Sequence, residues 1–252
     1  MKKKSLKIFI GTIEIAGYYK NLNKGFQSLG IESNFYSYHD HINQYGGENK
    51  NPFLLALAKK FYSFAKNLEN SIFVRAISML TFLCISLPWI IYSILKYDVF
   101  IFGFGQSLIP GNYDLPILRL LNKTVISNLA HGSEARPAYL DGTYTLKKDE
   151  DNFIERQVIL AKAQKKRVSF HEKYTSIIIG SPYVNSYFCT SKFVNWFAIG
   201  MPNFEFKNLN IFENSTNEKN ISSKIRIIHC PTNPELKGSS IIISSIDQLK
   251  KK

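Results

Sequence analysis

The sequence predicts an α/β protein: a Rossmann-like parallel sheet with helices on both faces, followed by a truncated second Rossmann-like unit. Three observations predict it. Short apolar runs at 8–10, 99–102, 124–129 and 177–179 alternate with longer stretches of helical spacing, as expected of parallel strands joined by crossover helices. The runs at 8–10, 99–102 and 177–179 carry Ile, Val and Phe at consecutive positions rather than alternating with polar residues, so both faces of the sheet should be covered. Finally, 252 residues with 45% hydrophobic and 20% charged side chains can bury a sizeable core without disulfide or metal support.

The first strand is read at 8–10, ending on Gly11. Lys7 and Glu14 break the apolar stretch and no small-residue cleavage site closes it, so a first strand is expected here in place of a secretory leader. Tyr18, Leu22, Phe26 and Leu29 then recur at helical spacing before Gly30, a C-terminal capping residue. Alternation over 34–38 marks a second strand, followed by a polar loop with Gly46 and Gly47. Pro52 opens a helix that runs to about Leu68.

The segment 76–95 has no charged residue and is long enough to cross a bilayer. Pro88 interrupts it, and a strand of the same sheet follows at 99–102. A buried helix is therefore expected, or one docked on a membrane surface beside Lys59, Lys60, Lys66 and Arg75, with a true span as the remaining alternative. Further on come a helix around 115–121 that Asp114 can cap, a strand at 124–129, a helix at 153–168, and strands at 177–179 and 193–199.

Residues 1–202 thus form one expected domain. The stretch 203–223, rich in Asn, Ser, Glu and Lys, reads as a linker, and 224–252 as the start of a second domain. In that piece a strand at 225–228 precedes a helix over 239–249 whose Ile242, Ile243, Ile246 and Leu249 share a face.

The net charge of +13, from 32 Lys+Arg against 19 Asp+Glu, implies an anionic partner such as a phosphorylated ligand or a lipid surface. Lysine clusters lie at 2–4, 250–252 and 162–167, without a helix-turn-helix, zinc-finger or ribonucleoprotein motif, so nucleic acid is not expected. Cys84, Cys189 and Cys230 are odd in number and far apart, which argues against a disulfide framework or a zinc site. His39, Asp40 and His41 crowd one polar loop, but no metal is called for.

Ligands of open parallel sheets gather beyond the carboxyl ends of strands, which singles out four loops. The first contains Gly11, Glu14 and Gly17, without the three-glycine dinucleotide fingerprint. The second contains Gly103 and Gly105. The third joins His131, Ser133, Glu134, Arg136 and Asp141, a proton carrier, two carboxylates and a guanidinium within eleven residues. The fourth runs from His229 through Asn233 to Lys237 and Gly238, before a helix. A structural turn or ion-pair loop would use the same residue types.

The segments 7–19, 98–105, 131–136 and 229–238 resemble bacterial glycosyltransferases of the two-Rossmann-domain (GT-B) architecture, in particular family-4-like enzymes of capsule, lipopolysaccharide and other surface-glycan assembly. That resemblance implies a retaining hexosyltransferase-like enzyme. Its N-terminal domain would hold a glycan or lipid-linked acceptor at the inner membrane face, and its C-terminal domain a nucleotide-diphosphate sugar. Lys237, Gly238 and Asn233 would match the donor-phosphate contacts, and His131 the histidine beside the transferred sugar. Gly11, Glu14, Gly17, Gly103, Gly105, Ser133, Glu134 and Arg136 would line the acceptor cleft. Neither cofactor nor metal is implied. The family often has Asp where Glu134 stands, and a basic residue where Thr232 and Asn233 stand. Its carboxylate motif for donor sugar and ribose lies beyond the point where this sequence stops, so the chain is expected to be inactive alone. A non-catalytic glycan- or nucleotide-binding module is the alternative.

Overall fold

The computed structural model describes residues 6–38, 51–67, 70–141, 152–196, 227–231, 234–235 and 237–250. The elements in chain order are β1 (Lys7–Thr12), α1 (Tyr18–Ser28), β2 (Glu32–Ser37), α2 (Phe53–Lys66), α3 (Ile72–Lys96), β3 (Val99–Gly103), α4 (Leu115–Leu120), β4 (Thr124–Asn128), α5 (Phe153–Tyr174), β5 (Ile177–Gly180), α6 (Pro182–Asn185), β6 (Val194–Asn195) and α7 (Ser239–Lys250). A 3-10 turn at Ala138–Leu140 precedes α5.

The strands form one parallel sheet in the order β2-β1-β3-β4-β5-β6. In β1, Phe9 pairs with Asn34 on one side and with Phe100 on the other. From β2 the chain crosses back over β1 to reach β3, so strand order reverses between β1 and β3. Such a reversal opens a crevice at the carboxyl ends of the two strands. The α/β, Rossmann-like fold class expected from the sequence is the one observed.

Period-two alternation divides the apolar strand residues between two buried layers. Phe9, Phe100 and Phe102 enter one cluster with Leu55, Tyr62, Phe82, Trp89 and Leu118 from α2, α3 and α4. Ile8, Ile10 and Ile101 enter the other with Tyr18 and Tyr19 of α1. Phe9 sits at the centre of the first, its ring 5.4 Å from Phe100 and 5.8 Å from Trp89. Truncating so enclosed a phenyl ring costs about 3–5 kcal/mol.

Helix ends follow local chemistry. Gly30, at φ 75°, stops α1, and the N–H groups of Gly30 and Ile31 return to the carbonyls of Gln27 and Phe26. Ser71 caps α3 by accepting from the Val74 N–H. Inside α3 lie Ser78, Phe82, Ser86, Trp89, Ile90, Ser93 and Ile94, one face at spacings of three and four. Pro88 sits within α3 and does not end it, contrary to its reading as an interruption. Tertiary packing of the Trp89–Ile94 turn against the sheet offsets the hydrogen bond that proline removes. The outer face of α3 leaves Ile72, Phe73, Leu80, Leu87, Ile91 and Leu95 exposed.

Two other expectations change. The Asp114 side chain does not cap α4; its carboxylate turns back to accept from Ser107 Oγ and from the Leu108 and Ile109 N–H groups. Burial favours a site that satisfies both oxygens over a helix end open to water. Cys84 and Cys230 are exposed, Cys189 is half-buried, and all three are free thiols. Ile227 and Ile228 are exposed and not in a strand, because a strand exists only by pairing and no described residue pairs with them. Helix α7 forms as expected, with no residue buried. The linker 203–223, Gly46, Gly47, and the His39–Asp40–His41 group lie outside the described residues.

Candidate functional site

The loop after β1 carries Gly11, Glu14 and Gly17 to the start of α1. Gly11 lets two backbones meet, since a Cβ there would lie 2.4 Å from the Tyr36 carbonyl oxygen. Gly17 is the N-cap of α1, at φ 81°. Glu14 is buried, and its carboxylate accepts from the N–H groups of Ile15 (2.7 Å), Tyr19 (3.1 Å) and Lys20 (2.9 Å). Burial raises its pKa, while these three bonds pull the other way. A nucleotide phosphate would need the same N-terminal N–H groups. The protein's own carboxylate already occupies the anion position of α1, and Glu14 therefore faces its helix rather than the crevice.

Beside it, the first turn of α1 sends Tyr19 across the crevice to the loop after β4. The Tyr19 hydroxyl stands 2.8 Å from His131 Nε2. It rests on Gly103 at the end of β3, where a Cβ would lie 2.0 Å from that oxygen. Asn128, the last residue of β4, places its Oδ1 on the Ala130 N–H at 3.1 Å and hydrogen-bonds the Tyr19 hydroxyl through its side chain. Its amide is therefore the donor to Tyr19, whose own proton goes to Nε2. Burial, first of all, holds Tyr19 far above the ordinary tyrosine range, so that proton stays in place at neutral pH.

His131 is thus an imidazole with Nε2 accepting and the ring proton on Nδ1, an assignment that follows from the network. Rings of Tyr18, Tyr19 and Phe104 surround it, with centroids 5.8, 5.8 and 6.3 Å away. Burial lowers its pKa to about 4. A base that weak takes protons poorly at neutral pH, whereas a fixed neutral imidazole positions a hydroxyl well.

The rest of the loop is held from below. Glu134 is 1% exposed and accepts from the His131 N–H at 2.6 Å. Desolvation raises its pKa; backbone N–H groups of the loop and the charge of Arg167 oppose the rise. One of its oxygens, Oε2, has no partner among the described residues. Ser133 is half-buried, and its carbonyl accepts from Gln164 Nε2 at 2.6 Å. Arg136 pairs with buried Asp141 at 2.8 Å, so this part of the loop is an ion-pair brace. Gly105, at φ 64°, turns the chain beyond β3 and lies against the Arg167 stem.

Of the residues singled out in the sequence, His131, Gly103 and Gly11 lie around one crevice, Glu14 is turned into the start of α1 instead of lining it, and Glu134 and Arg136 support the His131 loop. Lys237 is exposed, with Gly238 at φ 64° before α7, and the hydrogen bonds of this segment are local, as in His229 Nε2 to Ser239 Oγ at 2.8 Å. Asn233 lies outside the described residues. Sequence reasoning passed over Tyr19 and Asn128 as site residues. The usable signal was a tyrosine in the first turn after a strand-end glycine loop. Among the described residues, no group of three His, Cys, Asp or Glu side chains could hold a metal ion. Comparison with known proteins returns no matching family model, curated protein or solved structure.

Proposed function

We propose that this chain is the acceptor-side domain, with the beginning of the donor-side domain, of a GT-B glycosyltransferase. It would take a sugar from a nucleotide-diphosphate donor to a glycan or lipid-linked acceptor. The observation that carries the reading is the Tyr19–His131 pair over Gly103, a fixed neutral imidazole at the reversal point of the sheet. A sugar hydroxyl can accept from its Nδ1–H. No protein base is needed where the donor phosphate itself takes the acceptor proton, and an imidazole with a pKa of about 4 suits orientation better than proton abstraction.

The exposed apolar face of α3 supports a location at a membrane surface. It is the one described helix long and apolar enough to cross a membrane, but Phe82, Trp89, Ile90 and Ile94 tie its inner face to the sheet. That arrangement favours a helix lying on the lipid over one spanning it. Exposed Phe53, Leu54 and Phe64 of α2 extend the same hairpin.

A second reading, a binding module without chemistry, draws support from Glu14 and Glu134. Both carboxylates are turned into their own backbone loops. The deciding experiment is release of nucleotide diphosphate from a panel of sugar donors by the product read in frame through codon 252 and beyond. Acceptor-dependent release that falls at least about tenfold in His131→Ala, the loss of one good hydrogen bond, and also falls in Lys237→Ala, supports transfer. Acceptor binding by the 252-residue chain with no release from any donor supports the module. Absence of both discards the two readings together.

A further inference from the structure

A cavity of about 160 Å³ opens beyond the carboxyl end of β3. The loop 105–112 forms its floor. Lys66 and Tyr62 of α2 and Arg167 of α5 form its walls. Among the described residues no carboxylate lines it. The nearest acids are committed elsewhere: Asp114 to Ser107, Leu108 and Ile109 behind the loop, and Glu134, which attracts Arg167 from within the His131 loop.

Two like charges therefore converge on a polar hollow. The Lys66 ammonium lies 5.5 Å from the Tyr62 ring centroid. Its pKa is lowered first by burial, then by the charges of Arg167 and Arg75. Arg167 threads past Gly105, where a Cβ would lie 2.6 Å from its Cδ. The floor is rigid, because Asn112 bonds Ser107 N, the Gly105 carbonyl and His171 Nε2 at 2.9–3.0 Å. Glu134 offsets part of the Arg167 charge from within its loop, while no carboxylate of the hollow faces Lys66, and an incoming anion relieves the repulsion that remains.

We propose that this cavity binds a phosphate or diphosphate group through Lys66 and Arg167. The hollow is too small for a whole nucleotide sugar and suits an anionic group. Arg presents a planar fork to phosphate oxygens and Lys a point charge. Exposed Phe64, Ile72 and Phe73 stand at the same end of the α2–α3 hairpin as Lys66. A lipid phosphate and a soluble phosphoester are thus the two sources of one chemistry. The site does not depend on sugar transfer.

The test uses the 252-residue chain with two probes: inorganic pyrophosphate by calorimetry, and vesicles with or without phosphatidic acid by co-sedimentation. Lys66→Gln and Arg167→Gln are expected to weaken pyrophosphate binding at least about tenfold, whereas Lys24→Gln, on α1, leaves it unchanged. Lys66→Gln should melt within a few degrees of the parent in anion-free buffer, because it removes a repulsion, whereas Arg167→Gln also takes a compensating charge from buried Glu134 and should melt lower. Should Arg167→Gln fail to fold, Lys66→Gln alone decides. Vesicle binding that needs phosphatidic acid and Lys66, without pyrophosphate binding, identifies a lipid head group as the source. Binding of neither probe, or binding indifferent to both variants, overturns the proposal.

Discussion

The Tyr19 hydroxyl and His131 Nε2 lie 2.8 Å apart although 112 residues separate them in the chain. This bond fixes which imidazole nitrogen carries the proton, and it joins the loop after β4 to the first turn of α1. Tyr19→Phe keeps the ring and deletes the bond. It leaves Nε2 and the Asn128 amide without their shared partner, at a cost of about 1–3 kcal/mol. Urea unfolding should show that loss, and nitrogen-15 spectra should show the fixed His131 tautomer giving way to a mixture. Unchanged imidazole shifts in Tyr19→Phe would disprove the assignment.

Gly103 is the seat of that tyrosine. A methyl group there would lie 2.0 Å from the hydroxyl oxygen and 2.3 Å from Cζ, contacts that must be relieved by moving the ring. Gly103→Ala should destabilise by about 1–3 kcal/mol. Combined with Tyr19→Leu, it should cost measurably less than the sum of the two single changes, since the clash has gone. Strict additivity in that cycle would mean that the two positions do not touch.

The strands were legible because their apolar runs sit in a fully covered parallel sheet, where Phe9, Phe100 and Phe102 have no polar neighbours to obscure the pattern. The His131 loop was legible as a cluster of chemistry-bearing types at a strand end. Its internal wiring was not. Glu134 and Glu14 could not be distinguished in sequence from carboxylates open to a ligand, because backbone N–H groups as partners leave no trace in residue identity. His171 was passed over for the same reason: a lone histidine in a basic helix gives no sign that Ser127 and Asn112, 44 and 59 residues away, will enclose it. The cation pocket likewise needs α2 and α5 brought together, which no local pattern encodes.

That enclosed histidine sets a pH dependence. Burial lowers the pKa of His171, and of His131, to about 4 from the ordinary 6.5. The unfolded chain then takes up protons that the folded chain refuses. Stability from these groups is complete above pH 6.5, falls as pH drops, and levels off below about 4. Glu14, Glu134 and Asp114 act oppositely: burial raises their pKa values, so their stability is present below the ordinary carboxylate range and lost as pH rises through the folded values. The two sets therefore oppose each other across the mildly acidic range. For His171 alone the fall from about pH 7 to about pH 5 amounts to about 2 kcal/mol. Unfolding free energies from urea titrations at those two pH values should differ less in His171→Gln by about that amount. An undiminished difference would place the acid sensitivity elsewhere.

The outer face of α3 yields the last prediction. Ile72 is 83% exposed and Phe73 74%, at the end of a helix whose inner face is committed to Phe82, Trp89 and Ile94. Large apolar side chains left in water together mark a surface that meets something apolar. Against a lipid interface each contributes up to about 1.5–3 kcal/mol by burial, and the basic side chains of α2 add attraction to anionic head groups. Ile72→Ser with Phe73→Ser should therefore reduce co-sedimentation with anionic vesicles by at least about tenfold, while leaving the folded stability nearly unchanged, because neither side chain packs on the core. Alkaline carbonate should release the parent chain into the supernatant, since the inner face of α3 holds the sheet rather than lipid. Retention in the pellet would require α3 to leave the sheet and take Trp89 and Ile94 with it, which would overturn the surface-docked reading.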